Sequence, residues 1–106
     1  MKRLVIILLF IAPFITRATN YTSTANGNWS VSTTWSPSGV PGSGDNVTIA
    51  NTVTLNASES VNNITINSGH TLTVSTTSIL TVFGNFTNSG TFTYATGTVI
   101  MAGSST

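Results

Sequence analysis

The sequence predicts an all-β fold, a parallel β-helix or β-solenoid with an N-terminal cap and an end after Met101 that reads as unfinished. Three observations predict it. A four-residue pattern, Thr-apolar-Thr-apolar, recurs at Thr52 to Leu55, Thr71 to Val74 and Thr91 to Tyr94, with starts 19 and 20 residues apart. A fixed period near twenty marks stacked structural units. Apolar residues alternate within each copy, the period of a strand with one buried face. The strand-like runs are bounded by Gly, Asn and Ser, and no stretch carries a helical period of any length.

Taken in order, residues 1–18 read as a secretory signal peptide. Lys2 and Arg3 precede an apolar run from Leu4 to Ile15 broken only by Pro13, and Ala18 offers a small residue for cleavage. The competing reading, a membrane anchor, meets a length problem: twelve helical residues rise only about 18 Å, against a hydrocarbon core of about 30 Å. Export removes Lys2, Arg3 and Arg17, the only basic residues, and leaves Asp45 and Glu59 as the only charges, a net of −2. With no cation left to neutralise phosphate, nucleic acid is excluded as a partner, and so is an anionic membrane surface after signal cleavage.

Residues 19–46 read as a Gly/Ser/Pro-rich segment and N-terminal cap in which Trp29 and Trp35 cover the open end of the first coil. Residues 47–106 read as incomplete solenoid coils. Apolar pairs one residue apart fall at Val47 to Ile49, Val53 to Leu55, Ile64 to Ile66, Leu72 to Val74, Leu80 to Val82, Phe92 to Tyr94 and Val99 to Met101, with turns at 39–46, 67–69, 84–85, 88–90 and 97. Stacked about 4.8 Å apart, such strands would align Val53, Leu72 and Phe92 in one inner column and Leu55, Val74 and Tyr94 in another. Their Thr neighbours would face outward. A small antiparallel sandwich is the alternative.

Thr, Ser and Asn number 21, 14 and 11 of the 106 residues, a bias that taken alone suggests a disordered stalk. Regularly placed β-branched and aromatic residues argue against that. The chain has no cysteine, so no disulfide compensates for its small size.

The run from Trp35-Ser36-Pro37 through Val40-Pro41-Gly42-Ser43-Gly44-Asp45-Asn46-Val47-Thr48-Ile49 to Thr52-Val53-Thr54-Leu55 resembles the opening of glycine-rich β-strand modules at the start of large secreted bacterial surface proteins. The stretches from Gly84 to Phe92 and from Gly97 to Gly103 resemble their continuation. More loosely, the chain is similar to the extracellular domain named for its eight glycines. The resemblance covers roughly Trp29 to Gly103. It implies a right-handed parallel β-helix in an exported, adhesin-like or polysaccharide-associated protein, with further domains of the same longer chain and no catalytic residues to carry over.

The chemistry available in the sequence is sparse. Asp45 and Glu59 are 14 residues apart, and nothing in that spacing makes them converge as a catalytic pair. Asp45 follows Gly42-Ser43-Gly44, where a carboxylate accepts turn amides. His70, the only histidine, sits in the turn with Ser68 and Gly69, with no nucleophile motif to support a triad. One His and two acids fall short of a zinc shell, so no cofactor or metal is expected, although one Ca²⁺ held by Asp45 and turn carbonyls stays open.

The reading is therefore a noncatalytic structural or binding segment of an extracellular or cell-surface protein, not an enzyme. Thr52, Thr54, Thr71, Thr73, Thr91 and Thr93 form its candidate contact face for glycans or other surface proteins, and Trp29, Trp35 and Asp45 are structural. Aromatic residues offer sugar-stacking platforms in a competing reading, with core packing as their plainer role. Two alternatives stand beside this: the start of a polysaccharide-degrading β-helix enzyme with its active site downstream, and an ice-binding Thr array. Six Asn-x-Ser/Thr sequons, at Asn20, Asn28, Asn46, Asn56, Asn63 and Asn85, matter only in a eukaryotic secretory route.

Overall fold

In the computed structural model, residues 18–75, 77–94 and 97–103 are described, so the signal-peptide reading of 1–18 falls outside them except at Ala18. The described chain is all-β apart from a 3-10 turn at Ser32–Thr34. No helix among the described residues is long and apolar enough to cross a membrane.

Twelve strands distribute over three sheets. The first is built from β1 (Asn20–Ser23), β3 (Trp35–Ser36), β4 (Asn46–Ile49), β7 (Ile64–Ile66) and β10 (Phe86–Asn88), in the order β10-β7-β4-β1-β3. β2 (Gly27–Asn28), β5 (Val53–Leu55), β8 (Thr71–Val74) and β11 (Thr91–Thr93) form the second, in the order β11-β8-β5-β2. The third holds β6 (Glu59–Val61), β9 (Ile79–Val82) and β12 (Thr98–Met101), in the order β12-β9-β6. From Asn46 onward the chain thus visits the three sheets in the same order three times. Every described pairing is parallel except that of β1 with β3.

Register turns the sequence alternation into a core. Val47 pairs with Ile64 and Ile64 with Phe86 in the first sheet. In the second, Val53, Leu72 and Phe92 line up, with Leu55 beside Val74. Val61 and Val82 line up in the third. Val53, Leu55, Val61, Ile64, Ile66, Leu72, Val74, Leu80 and Val82 are fully buried. Each such side chain contributes about 1.5–3 kcal/mol of apolar burial.

Two sequence expectations are corrected. Strand stacking begins at Asn20 rather than Val47, because β1 lies parallel on β4 and β2 on β5. Tyr94, expected inside beside Val74, is 54% exposed. Strand β11 ends one residue earlier, at Thr93, and the Tyr94 carbonyl turns to accept the amide of Gly97. Its ring lies instead on Phe92, with centroids 5.5 Å apart.

The corners explain how short strands stay aligned. Asn46 Nδ2 donates to Asn20 Oδ1 at 2.8 Å, Asn46 Oδ1 accepts the Asn63 amide at 3.2 Å, and Asn63 Oδ1 accepts the Asn85 amide at 2.8 Å. Other corners repeat the device: Asn26 Oδ1 takes the Thr52 amide and Ser58 Oγ the Ile79 amide, both at 2.9 Å. Side chains thus satisfy backbone groups that the ladders leave free where the chain bends. Gly90 marks a close approach of successive turns, since a Cβ there would collide with the carbonyl oxygens of Asn67 and His70.

At the β1–β3 end of the stack, Trp29 is fully buried and Trp35 is 2% exposed, with ring centroids 5.0 Å apart in an edge-to-face contact. Both indole N–H groups are satisfied, Trp29 donating to the Pro41 carbonyl at 3.2 Å and Trp35 to the Trp29 carbonyl at 2.9 Å. Antiparallel β3 occupies the outer edge of the first sheet, next to β1.

Leu72→Ala is expected to lower unfolding stability by about 2–5 kcal/mol, whereas Val31→Ala, at an exposed position, changes it by less than about 0.5 kcal/mol. Urea titration of the two variants beside the parent checks this. Gly90→Ala is expected to destabilise and Gly42→Ala, with open space around it, to be neutral in the same titration.

Candidate functional site

Thr54, Thr73 and Thr93 share one register position on the second sheet, and Asn28 continues the row. Thr71 and Thr91 pair directly beside it, and Thr52 holds the equivalent place before Val53. Each flanks an inward apolar residue, so the pleat directs these hydroxyls outward. Thr52, Thr91 and Thr93 are exposed, whereas Thr54, Thr71 and Thr73 are half-buried.

A second row escaped sequence reasoning. Thr22, Thr48, Thr65 and Thr87 align across the first sheet through four adjacent strands. Each had a signal, a Thr among strand residues, but the connecting register was hidden. Val47 pairs with Ile64, Val53 with Leu72 and Glu59 with Leu80, offsets of 17, 19 and 21 residues, so one fixed period misses the first sheet.

The structural residues sit in the interior or at bends. Asp45 Oδ1 accepts the Thr19 amide at 3.1 Å and its Oδ2 the Gly42 amide at 3.0 Å, which pins the turn before β4 to the start of β1. The burial of both tryptophans removes them as sugar-stacking platforms. Phe86 on β10, Phe92 on β11 and Tyr94 just after it form a separate aromatic group, with Phe86 edge-on to Phe92 at 5.1 Å. Phe92 and Tyr94 border an open cleft of about 360 Å³ with Gly97, Thr98 and Val99. His70 lies in a turn, where its amide donates to the Asn67 carbonyl at 3.1 Å.

Sequence reasoning gave Glu59 no role beyond the acid pair it declined. It opens β6, the edge strand of the third sheet, in register with Leu80. The first and second sheets carry β1 and β2 beyond β4 and β5, whereas the third ends at β6. A depression of about 460 Å³ spans the three strands of this sheet, lined by Ser43, Ser58, Glu59, Ser60, Thr81 and the isoleucines Ile79 and Ile100. Its walls supply one carboxylate, four hydroxyls and an apolar floor. Burial raises the Glu59 carboxyl above its ordinary value of 4.5. No group of three or more metal-ligating side chains occurs among the described residues.

No protein-family model matches the chain, and no curated protein or solved structure does either.

A raised carboxyl pKa means that the folded chain holds its proton more tightly than the unfolded chain. Glu59 therefore costs no stability below pH 4.5, and its cost grows as the pH climbs from 4.5 through the raised value. Glu59→Gln is expected to raise the melting temperature at pH 7 by no more than a few degrees and to leave it nearly unchanged at pH 3.5, read by thermal denaturation at both pH values.

Proposed function

We propose that this chain is a noncatalytic, exported β-solenoid segment that binds glycans through its uncharged hydroxyl rows. Parallel strands that pass three sheets in a constant order support the solenoid reading, and the strong preference of parallel crossovers supports a right-handed coil. The leader-like composition of residues 1–18 supports an extracellular or cell-surface location. In this reading the segment belongs to a longer adhesin-like surface protein, whose other domains and neighbouring surface proteins are its further partners.

The observation that carries the binding reading is the alignment of Thr22, Thr48, Thr65 and Thr87 on one sheet and of Asn28, Thr54, Thr73 and Thr93 on the next. Strand spacing repeats these groups about every 4.8 Å. Each hydroxyl both donates and accepts, as a sugar hydroxyl does, so neighbouring rows can exchange hydrogen bonds with successive residues of a polysaccharide laid across the strands. The Thr methyls provide apolar contact for sugar C–H groups. Among the described residues there is no Lys or Arg, which favours neutral or cationic saccharides over anionic ones.

A hydrolytic role for the described residues is less well supported. Glycoside hydrolysis uses two free carboxylates, and Asp45 already gives its two oxygens to backbone amides. The same Thr ranks favour one second reading, ice binding, which thermal hysteresis measurements separate from sugar binding.

Thr54→Val, Thr73→Val and Thr93→Val together keep the side-chain shape and delete three hydroxyls of one row. At about 0.5–1.5 kcal/mol per hydrogen bond, the triple variant is expected to lose roughly tenfold or more in affinity for polysaccharides that the parent retains in a pull-down panel, with an unchanged circular dichroism spectrum. Equal retention of the variant would rule out this face.

A further inference from the structure

The depression across the third sheet combines features that the Thr rows lack. We infer that it is a subsite for a primary ammonium group carried on a sugar, with Glu59 as the counter-charge, Ser58, Ser60 and Thr81 as hydroxyl partners, and Ile79 and Ile100 as the platform beneath the ring. This rests on the glycan reading above and names the class of saccharide.

The geometry comes first. Outward positions on a strand of this chain are mainly Thr, Ser and Asn, yet Ile79 and Ile100 are 38% and 44% exposed, and both border this cavity. Thr81 pairs with Ser60 on one side and Ile100 on the other, so hydroxyl and apolar groups lie on neighbouring strands of the same wall. Glu59, in register with buried Leu80 and two residues before buried Val61, lies on the inner side of the β6 pleat and borders the cavity from that edge strand. A cavity of about 460 Å³ falls within the range of small-molecule sites and exceeds what one monosaccharide needs.

Charge then selects the ligand. No Lys or Arg lies among the described residues, so none of these neutralises Glu59. The loop over the pocket and the strands that form it carry one other ionisable group, Asp45, whose oxygens are held by the amides of Thr19 and Gly42. An incoming ammonium would supply the missing positive charge and a charge-assisted hydrogen bond, stronger than those of neutral hydroxyls. Burial of the carboxyl disfavours its charged form when the pocket is empty, and a bound cation reverses that preference.

Calorimetric titration of the full chain with glucosamine, N-acetylglucosamine and glucose oligomers of equal length tests this, with Glu59→Gln and Glu59→Asp as variants and circular dichroism as the folding control. The expected result is tighter binding of the amine form by roughly tenfold to a hundredfold. That preference should vanish in Glu59→Gln, persist in part in Glu59→Asp, and fade as the pH drops through the Glu59 titration. Equal binding of all three oligomers, or a preference that survives Glu59→Gln, overturns the inference and leaves the hydroxyl-row function standing. Failure of every oligomer to bind overturns both. Binding of an oligolysine peptide with the same Glu59 dependence, without the amino sugar, assigns the pocket to a protein partner and overturns the sugar assignment.

Discussion

Parallel backbone pairing between one pass of the chain and the next is the interaction on which everything else rests. The strands are only two to four residues long, and a strand of that length has little stability by itself. Pairing on both sides gives β4, β5, β7, β8 and β9 their hydrogen bonds, and the shared register stacks Val on Leu and Thr on Thr. The apolar interior and the polar exterior are two faces of the same registration, since a slip of one residue would exchange them.

The corners make that registration affordable to a sequence with uneven spacing. Asn20, Asn46, Asn63 and Asn85 hand hydrogen bonds along one edge of the stack, while Asn26 and Ser58 do so elsewhere. A corner therefore needs a short side chain with an acceptor oxygen, or a glycine where carbonyls approach too closely for a Cβ. The abundance of Asn, Ser and Gly has this physical origin, and it coincides with what makes the composition look disordered.

Strands with two apolar residues flanking a polar one were legible in the sequence: β5, β7, β8 and β9 stand where the alternation puts them. β1 and β2 were not, because NYTS and GN contain one apolar side chain between them and lie in a stretch dominated by turn formers. Likewise β6 and β10 start with Glu59 and Phe86 and lack the paired pattern. The Thr positions of the second sheet were readable from their repeat. Those of the first sheet were not, since its offsets differ with corner length. Glu59 acquired meaning only from its place at a sheet edge, which depends on where the third sheet stops.

Corner geometry also separates length from registration. Because successive corners already differ in residue number while the strands they join remain aligned, an insertion at a bend displaces nothing on the inner columns. The same insertion inside a strand would turn half its side chains inside out. The molecule thus has places where its coding sequence can lengthen or shorten at little structural cost, each lying at the margin of a hydroxyl-bearing sheet. New loops grafted there would reshape the outer surface while leaving the packed interior unaware of the change.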